Sequence, residues 1–279
     1  MTHQHRFRLC CRRLKKRCRL RFSATPQARV AVSRVITRPN VIDTAPRITV
    51  SRDSPTATGG NPTLDPFIAT QYDASVEWYF ARKTTLTGTV FYKEMDNYIT
   101  AQNVTIQVPG RGDILLSTQV NGGDAKLSGY EIAFNHGLTY LPSPLNGLGV
   151  QASYTSTQSK ANYFAGNRVI KDDIIGLSKS SYSVMGYFER GPFSARVGYF
   201  WRDKFLSSIG STVQAPSFTA PFGSIDGAIS VQIGQRVTLS LDATNLGEAK
   251  KFVYAGSVLR PMEINNYGRT FSLSVRGKF

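Results

Sequence analysis

The closing stretch YGRTFSLSVRGKF, from Tyr267 to Phe279, decides how the rest of the chain reads. Phe271, Leu273, Val275 and Phe279 fall on one face of a strand, and Thr270, Ser272, Ser274, Arg276 and Lys278 on the other, because successive side chains of a strand point to opposite faces. A half-buried strand of a soluble sandwich alternates in the same way. One copy therefore leaves the solvent on each face open, and the choice rests on how often the pattern recurs and what separates the copies.

Working back from the C-terminus, the pattern returns many times. Val237 to Ala243 and Ile225 to Ile233 are apolar at every second position around a turn at Gly234 to Arg236. Phe193 to Trp201 and Tyr182 to Phe188 do the same around Gly191 and Pro192. Further upstream stand Leu148–Ser156 and Leu127–Gly137, joined by TYLPSPLNG, and then Thr85–Tyr98 and Ala69–Phe80, joined by ARKT. Two short β-rich runs, Arg19–Ala24 and Arg29–Thr37, meet at TPQA. About eleven strands of roughly ten residues result, the length a tilted strand needs to cross a bilayer.

Tight connections alternate with long ones, the latter near residues 39–67, 100–126, 158–176, 203–221 and 245–265. That asymmetry is the mark of an outer-membrane barrel, with short periplasmic turns and long outer loops. Strands this long and loops this long are both unusual in a compact soluble domain. Trp78, Phe80, Tyr92, Phe188, Tyr199 and Trp201 lie near strand ends on the apolar rows, where amphipathic rings suit the headgroup level. The opposite rows are rich in Ser, Thr, Gln, Asp, Glu and Arg, which predicts a wet lumen. The expected fold is an all-β, antiparallel, up-and-down transmembrane barrel with 10 to 11 strands present, hence a partial barrel.

The formal charge of +16 suggests a nucleic-acid partner at first. Residues 1–42, however, hold 12 of the 34 Lys and Arg and no acid, so the remainder carries 22 basic against 18 acidic residues, a balance of +4. No nucleic-acid function is expected of that body; a basic nucleic-acid-binding β protein is the reading only if the arm itself binds. Residues 1–18 read as a basic, disordered arm, and residues 19–279 as the barrel portion. Cys10, Cys11 and Cys18 all lie in the arm, at spacings unlike those of zinc sites. The arm holds no apolar run of the kind a secretory signal needs, and no stretch is long and apolar enough for a membrane-spanning helix.

Several motifs add a resemblance. GGNPTLDPF places Asn61, Pro62, Leu64 and Pro66 in a GNPxLxP pattern directly ahead of QYDASVEWYF. Together with SRVITRPN (Ser33 to Asn40), LSGYEIAF (Leu127 to Phe134), LDATNLGEAKKFVY and the closing stretch, it resembles the C-terminal barrel half of TonB-dependent outer-membrane receptors. The resemblance carries Asn245, Leu246, Tyr254, Gly268, Arg269 and Phe279 over to the family's closing hairpin. It implies a Gram-negative outer-membrane location and uptake of a scarce solute such as an iron chelate, a cobalamin or a glycan. The implied partners are outer-membrane lipid, the barrel-assembly machinery through the C-terminal strand, and an extracellular small ligand. TonB would be engaged only through an N-terminal part with its signal peptide, TonB box and plug, which this sequence is expected to lack. Transporters of this type close roughly 22 strands around a plug, so the strands here amount to about half.

No enzyme, cofactor or metal site is expected. His136 reads as an exposed turn residue, Asp172 and Asp173 as solvated loop carboxylates, and GRGD (Gly110 to Asp113) lies between no strand and helix that could cradle a phosphate. For ligand capture the loop residues to watch are Arg111, Tyr163, Phe164, Tyr254 and Arg260. A self-contained small barrel, acting as a passive pore or adhesin, is the alternative and requires closure without a partner.

Overall fold

The structure, a computed structural model, describes residues 17–21, 26–165, 168–210 and 215–277. Most of the basic arm, and Phe279 of the closing motif, therefore lie outside the described residues. In chain order, β1 (Arg17–Arg21) and β2 (Pro26–Thr37) come first, followed by the short helix α1 (Val41–Thr44), β3 (Ile48–Val50) and β4 (Thr56–Gly59). Next are β5 (Phe67–Ala81), β6 (Thr84–Asp96), β7 (Ile99–Val108), β8 (Gly112–Asn121) and β9 (Ala125–Gly137). A 3-10 turn at Leu145–Gly147 leads into β10 (Leu148–Ala165), β11 (Arg168–Asp172), β12 (Ser180–Arg190) and β13 (Phe193–Arg202). The chain finishes with β14 (Phe205–Ser208), β15 (Ser217–Thr219), β16 (Phe222–Ile233), β17 (Val237–Thr244), β18 (Lys250–Ala255), β19 (Pro261–Asn266) and β20 (Thr270–Gly277).

The wall is one antiparallel sheet in the order β1-β2-β5-β6-β9-β10-β12-β13-β16-β17-β20, with β11 added beside β10. Every neighbour is also the next wall strand in sequence, the up-and-down order expected. The sheet does not close: β1 pairs only with β2, and β20 only with β17. At one end the strands join through tight turns. Lys83 (φ 57°), Gly191 (φ 56°) and Gly234 (φ 62°) supply the left-handed residues there, a conformation that costs a lysine more than a glycine.

Register shows what each face is made of. Across the wall, Ala28, Val76, Gly88, Ile132, Tyr154, Tyr182, Trp201 and Gly223 stand in one continuous row on one face. Val76, Ile132 and Val184 of that face are about half exposed. Water would penalise such a surface at about 25 cal/mol per Å², whereas hydrocarbon does not. On the opposite face the neighbouring row runs Ser75, Thr89, Glu131, Thr155, Ser181 and Arg202. The first row suits lipid and the second a wet lumen.

Two expectations need correction. The long loops are not irregular: β3, β4, β8 and β7 form a second sheet shared by the first two of them, and β14, β15, β18 and β19 a third shared by the last two. Backbone groups in excursions of that length need partners, and neighbouring loops supply them. The strand expected to stop at Ser156 also continues to Ala165, carrying the wall well past the part paired with β12.

Candidate functional site

The buried core sits at the long-loop end rather than in the membrane wall. Ala69, Met95, Ala125 and Ala161 form one cross-strand row on the lumen-facing side, and Met95, Ala125, Ala161 and Tyr163 are buried there against Phe67, Tyr98, Leu127, Ile174 and Ile209. The mouth is thus apolar where a wet inner face was expected. Loop residues 174 and 209 fold over it and remove the row from water. A second cluster, Ala57, Ile114 and Leu116, holds the β3-β4-β8-β7 sheet together.

Tyr163 anchors this mouth. Its ring meets Tyr98 edge-on at 6.4 Å, its hydroxyl donates to the Asp173 carbonyl at 3.0 Å, and it accepts from the Ile175 N–H at 3.0 Å. Burial pushes its phenol up to about 12 and raises Tyr98 as well. A phenol that holds its proton more tightly folded than unfolded contributes stability in full below pH 10 and loses it as the pH rises towards 12. Tyr163→Phe leaves the Ile175 N–H unpaired, and is expected to destabilise this segment by about 1–3 kcal/mol. Hydrogen exchange at Asp173 to Ile175 measures that loss, and the variant should also lose its share of the alkaline destabilisation.

The GNPxLxP motif is a clamp between two loops. Asn61 donates from Nδ2 to the Gln119 carbonyl (3.1 Å), while its Oδ1 accepts from the Thr63 N–H (3.0 Å) and Thr63 Oγ1 (2.6 Å). Leu64 is buried, and the N–H of Asp65, next to Pro66, donates to Asn121 Oδ1 at 2.8 Å. Pro62 follows Asn61 in the turn between β4 and β5. A Cβ on Gly60 would stand 2.3 Å from the Ala45 carbonyl oxygen, so only glycine fits.

Asn245 plays the matching part at the closing hairpin. It occupies the left-handed region (φ 55°) and donates from Nδ2 to the carbonyls of Gly268 (2.8 Å) and Ala249 (3.2 Å). Its Oδ1 accepts from the Ala249 N–H at 2.7 Å, and its own N–H reaches Asp226. Leu246 offers its carbonyl to Arg269 Nε at 3.1 Å, and Gly268 turns at φ 64°. Asn245→Ala should cost about 2 kcal/mol, because it loses these bonds and keeps a β-carbon in the left-handed region without the local side-chain hydrogen bonding by which Asn tolerates it. Hydrogen exchange along β20 would register the loss, and Asn245→Gly should recover only the backbone part.

The five residues singled out for ligand capture fall on three separate segments of the long-loop end. Arg111 lies in the β7–β8 turn, where Nη1 donates to the Ser51 carbonyl and ties two loops together. Tyr163 and Phe164 are in β10, not in a loop, since that strand is longer than the sequence suggests. Tyr254 is likewise a strand residue, in β18, buried and stacked on Phe218 at 5.8 Å. Arg260, like Arg111, stands in an exposed turn, with its N–H on the Ser257 carbonyl at 2.9 Å. His136 is also misplaced by the sequence: it lies within β9, half-buried, with Nδ1 2.9 Å from Thr84 Oγ1. Asp173 is an ion-pair centre for Lys160 (3.4 Å) and Lys179 (3.3 Å) rather than a solvated carboxylate.

Two features escape sequence reasoning. Arg202 lies over the Phe205 ring at 4.1 Å and donates to Ser178 Oγ (2.9 Å) and the Gly176 carbonyl (2.7 Å), joining two loop bases. Below the mouth, a trough of about 850 Å³ runs along the inner wall, lined by Lys83, Tyr187, Glu189, Arg196, Asp242 and Arg276. Its charges come from four strands and a turn, so no local motif announces it.

Residues 19–246 match the family model described as TonB dependent receptor-like, beta-barrel. Among solved structures the chain is similar to a variant of the ferric enterobactin receptor PfeA from Pseudomonas aeruginosa, with 15% identity and a TM-score of 0.66 over 95% of this chain and 40% of that one. The siderophore receptor PirA from Acinetobacter baumannii gives 12% identity and 0.64 over 95% and 40%. The copper transporter OprC gives 14% and 0.65 over 94% and 39%. At such identities the likeness shows the fold alone, and the chain spans about two fifths of these neighbours' length. No curated protein matches significantly. The proteins that share the fold are receptors and transporters, not enzymes. With the family model covering most of the sequence and the wall built strand after strand as such a barrel requires, the chain belongs to the TonB-dependent receptor β-barrel family, whose members are outer-membrane proteins of Gram-negative bacteria.

Proposed function

We propose that this chain is the C-terminal part of the barrel of an outer-membrane receptor that imports a scarce solute, an iron chelate being the first class to test. The observation that carries the reading is the polarity of the wall: an apolar outer face, a polar inner face, and folded loops with a buried mouth at one end only. That arrangement presents a capture surface to the outside and a hydrated path behind it. The neighbouring receptors for ferric enterobactin and other siderophores support iron chelates, and the copper transporter keeps a metal cargo of another kind in play. Arg260 is an exposed cation six residues beyond Tyr254, whose ring stacks on Phe218, and with Arg111 it is the proposed contact for an anionic chelate.

The remaining partners follow from the same reading. Lipid covers the outer face, the β20 strand offers its alternating edge to the barrel-assembly machinery, and TonB acts through a plug-bearing segment outside these residues. The test is accumulation of radio-iron from ferric catecholate and hydroxamate chelates by cells with and without the gene. Loss of one chelate's uptake, in the presence of TonB only, is the expected result. Unchanged uptake of every iron and copper source would remove the transport reading.

A further inference from the structure

The exposed tip of the β7–β8 hairpin carries Arg111, Gly112 and Asp113, a run that transport does not use as a unit. The two strands pair from Ile99 with Asn121 to Val108 with Gly112, leaving Pro109, Gly110 and Arg111 as the loop. The Arg111 N–H donates to the Val108 carbonyl at 3.0 Å, and Gly110 takes φ 79°. Proline second and a left-handed glycine third make a type II turn, in which proline presets one φ and glycine accepts the other. Directly below, Ile114 is buried with Ala57 and Leu116, and Val108 packs against that cluster. The tip is therefore ordered before it meets anything, and it has little conformational entropy left to lose on docking.

The two charges of the tip are held apart. Residues two apart in an extended strand share a face, which would let Arg111 and Asp113 pair with each other, but Gly112 breaks that geometry at φ 75°. β8 lies between β4 and β7. Arg111 Nη1 turns to the β4 side and donates to the carbonyl of Ser51, whose own N–H bonds the Thr56 carbonyl. Asp113 turns to the β7 side, where its carboxylate accepts from Gln107 Nε2. Neither charge belongs to an ion pair among the described residues. With one strand spacing on each side, cation and anion stand about 10 Å apart across a bare glycine. No atom comes within 4 Å of a Cβ placed at Gly110 or Gly112, so the space over the tip is open.

We infer that this tip is a docking element for an adhesion receptor on another cell, one that offers an acidic pocket to Arg111 and an open coordination site on a bound divalent cation to the Asp113 carboxylate. Calcium and magnesium take carboxylate oxygens as ligands, and the absent side chain at Gly112 lets a receptor surface approach the backbone between the two charges. The inference rests on the outer-membrane placement proposed above, with the long loops outside, and not on what is imported. Its test is adhesion of cells with and without the gene to an immobilised Arg-Gly-Asp-binding integrin loaded with magnesium. Cells carrying the gene should adhere, and soluble Gly-Arg-Gly-Asp-Ser should release them where Gly-Arg-Gly-Glu-Ser does not. Asp113→Glu keeps the charge but moves the carboxylate by one methylene, and should lower adhesion about tenfold while chelate uptake is unchanged. Equal adhesion by the parent, by Asp113→Glu and by cells without the gene would overturn the inference. Equal adhesion to the same receptor stripped of its cation would overturn the metal-dependent recognition. Labelling of Arg111→Cys on intact cells by a membrane-impermeant maleimide reports the placement separately. Labelling without adhesion overturns the docking alone, whereas no labelling overturns the outward placement of the loops and the inference with it.

Discussion

Refolded alone into detergent micelles, the chain is expected to migrate identically on a gel whether heated or not, because its wall cannot close. β20 presents eight residues, Thr270 to Gly277, whose pairing to β17 satisfies one edge only. About four N–H and four C=O groups are left facing hydrocarbon on the other, and each costs several kcal/mol there. The sum is on the order of tens of kcal/mol, above the whole net stability of an ordinary domain. Closing the sheet on itself does not relieve it. β1 and β20 run the same way, ten strand reversals apart, and closure would also force a wall shaped like part of a larger barrel into a much tighter curve. Supplying strands to both edges, for instance by replacing the corresponding segment of the PfeA barrel with residues 26–277, should restore faster migration unheated. A heat-modifiable monomer formed by the chain alone would instead establish the small self-contained pore.

The second large effect separates the two faces within one strand. Ile132 and Glu131 are neighbours on β9, but Ile132 stands in the outward row between Gly88 and Tyr154, and Glu131 in the inward row between Thr89 and Thr155. In the closed chimeric barrel, Ile132→Arg should lower stability by about 1–4 kcal/mol, the depth-dependent cost of a cation on the lipid-facing side of a barrel strand. Glu131→Arg exchanges one charge for another against water and should stay within about 0.5 kcal/mol. Urea unfolding from liposomes compares the pair directly. If the two substitutions cost the same, the assignment of lipid and lumen is wrong.

Legibility in the sequence followed the range of the interactions involved. Alternation is a property of single strands, so the run from Phe271 to Val275, like those around Ile132 and Val184, could be read from spacing alone, and the order of the wall followed from connection lengths. The clamps at Asn61 and Asn245 were visible as motifs, but what they hold was not: Asn61 reaches Gln119 and Asn245 reaches Gly268. The loop ends were misread where partners come from distant segments. Tyr163 looks like a loop aromatic until Tyr98, Asp173 and Ile175 close around it, and β4 finds its parallel partner β8 across more than fifty residues. Face, polarity and strand order are thus set by residues one or two apart and were determined by the sequence itself. The apolar mouth and the inner trough were decided only by tertiary structure, because each gathers side chains from strands whose register local spacing does not fix.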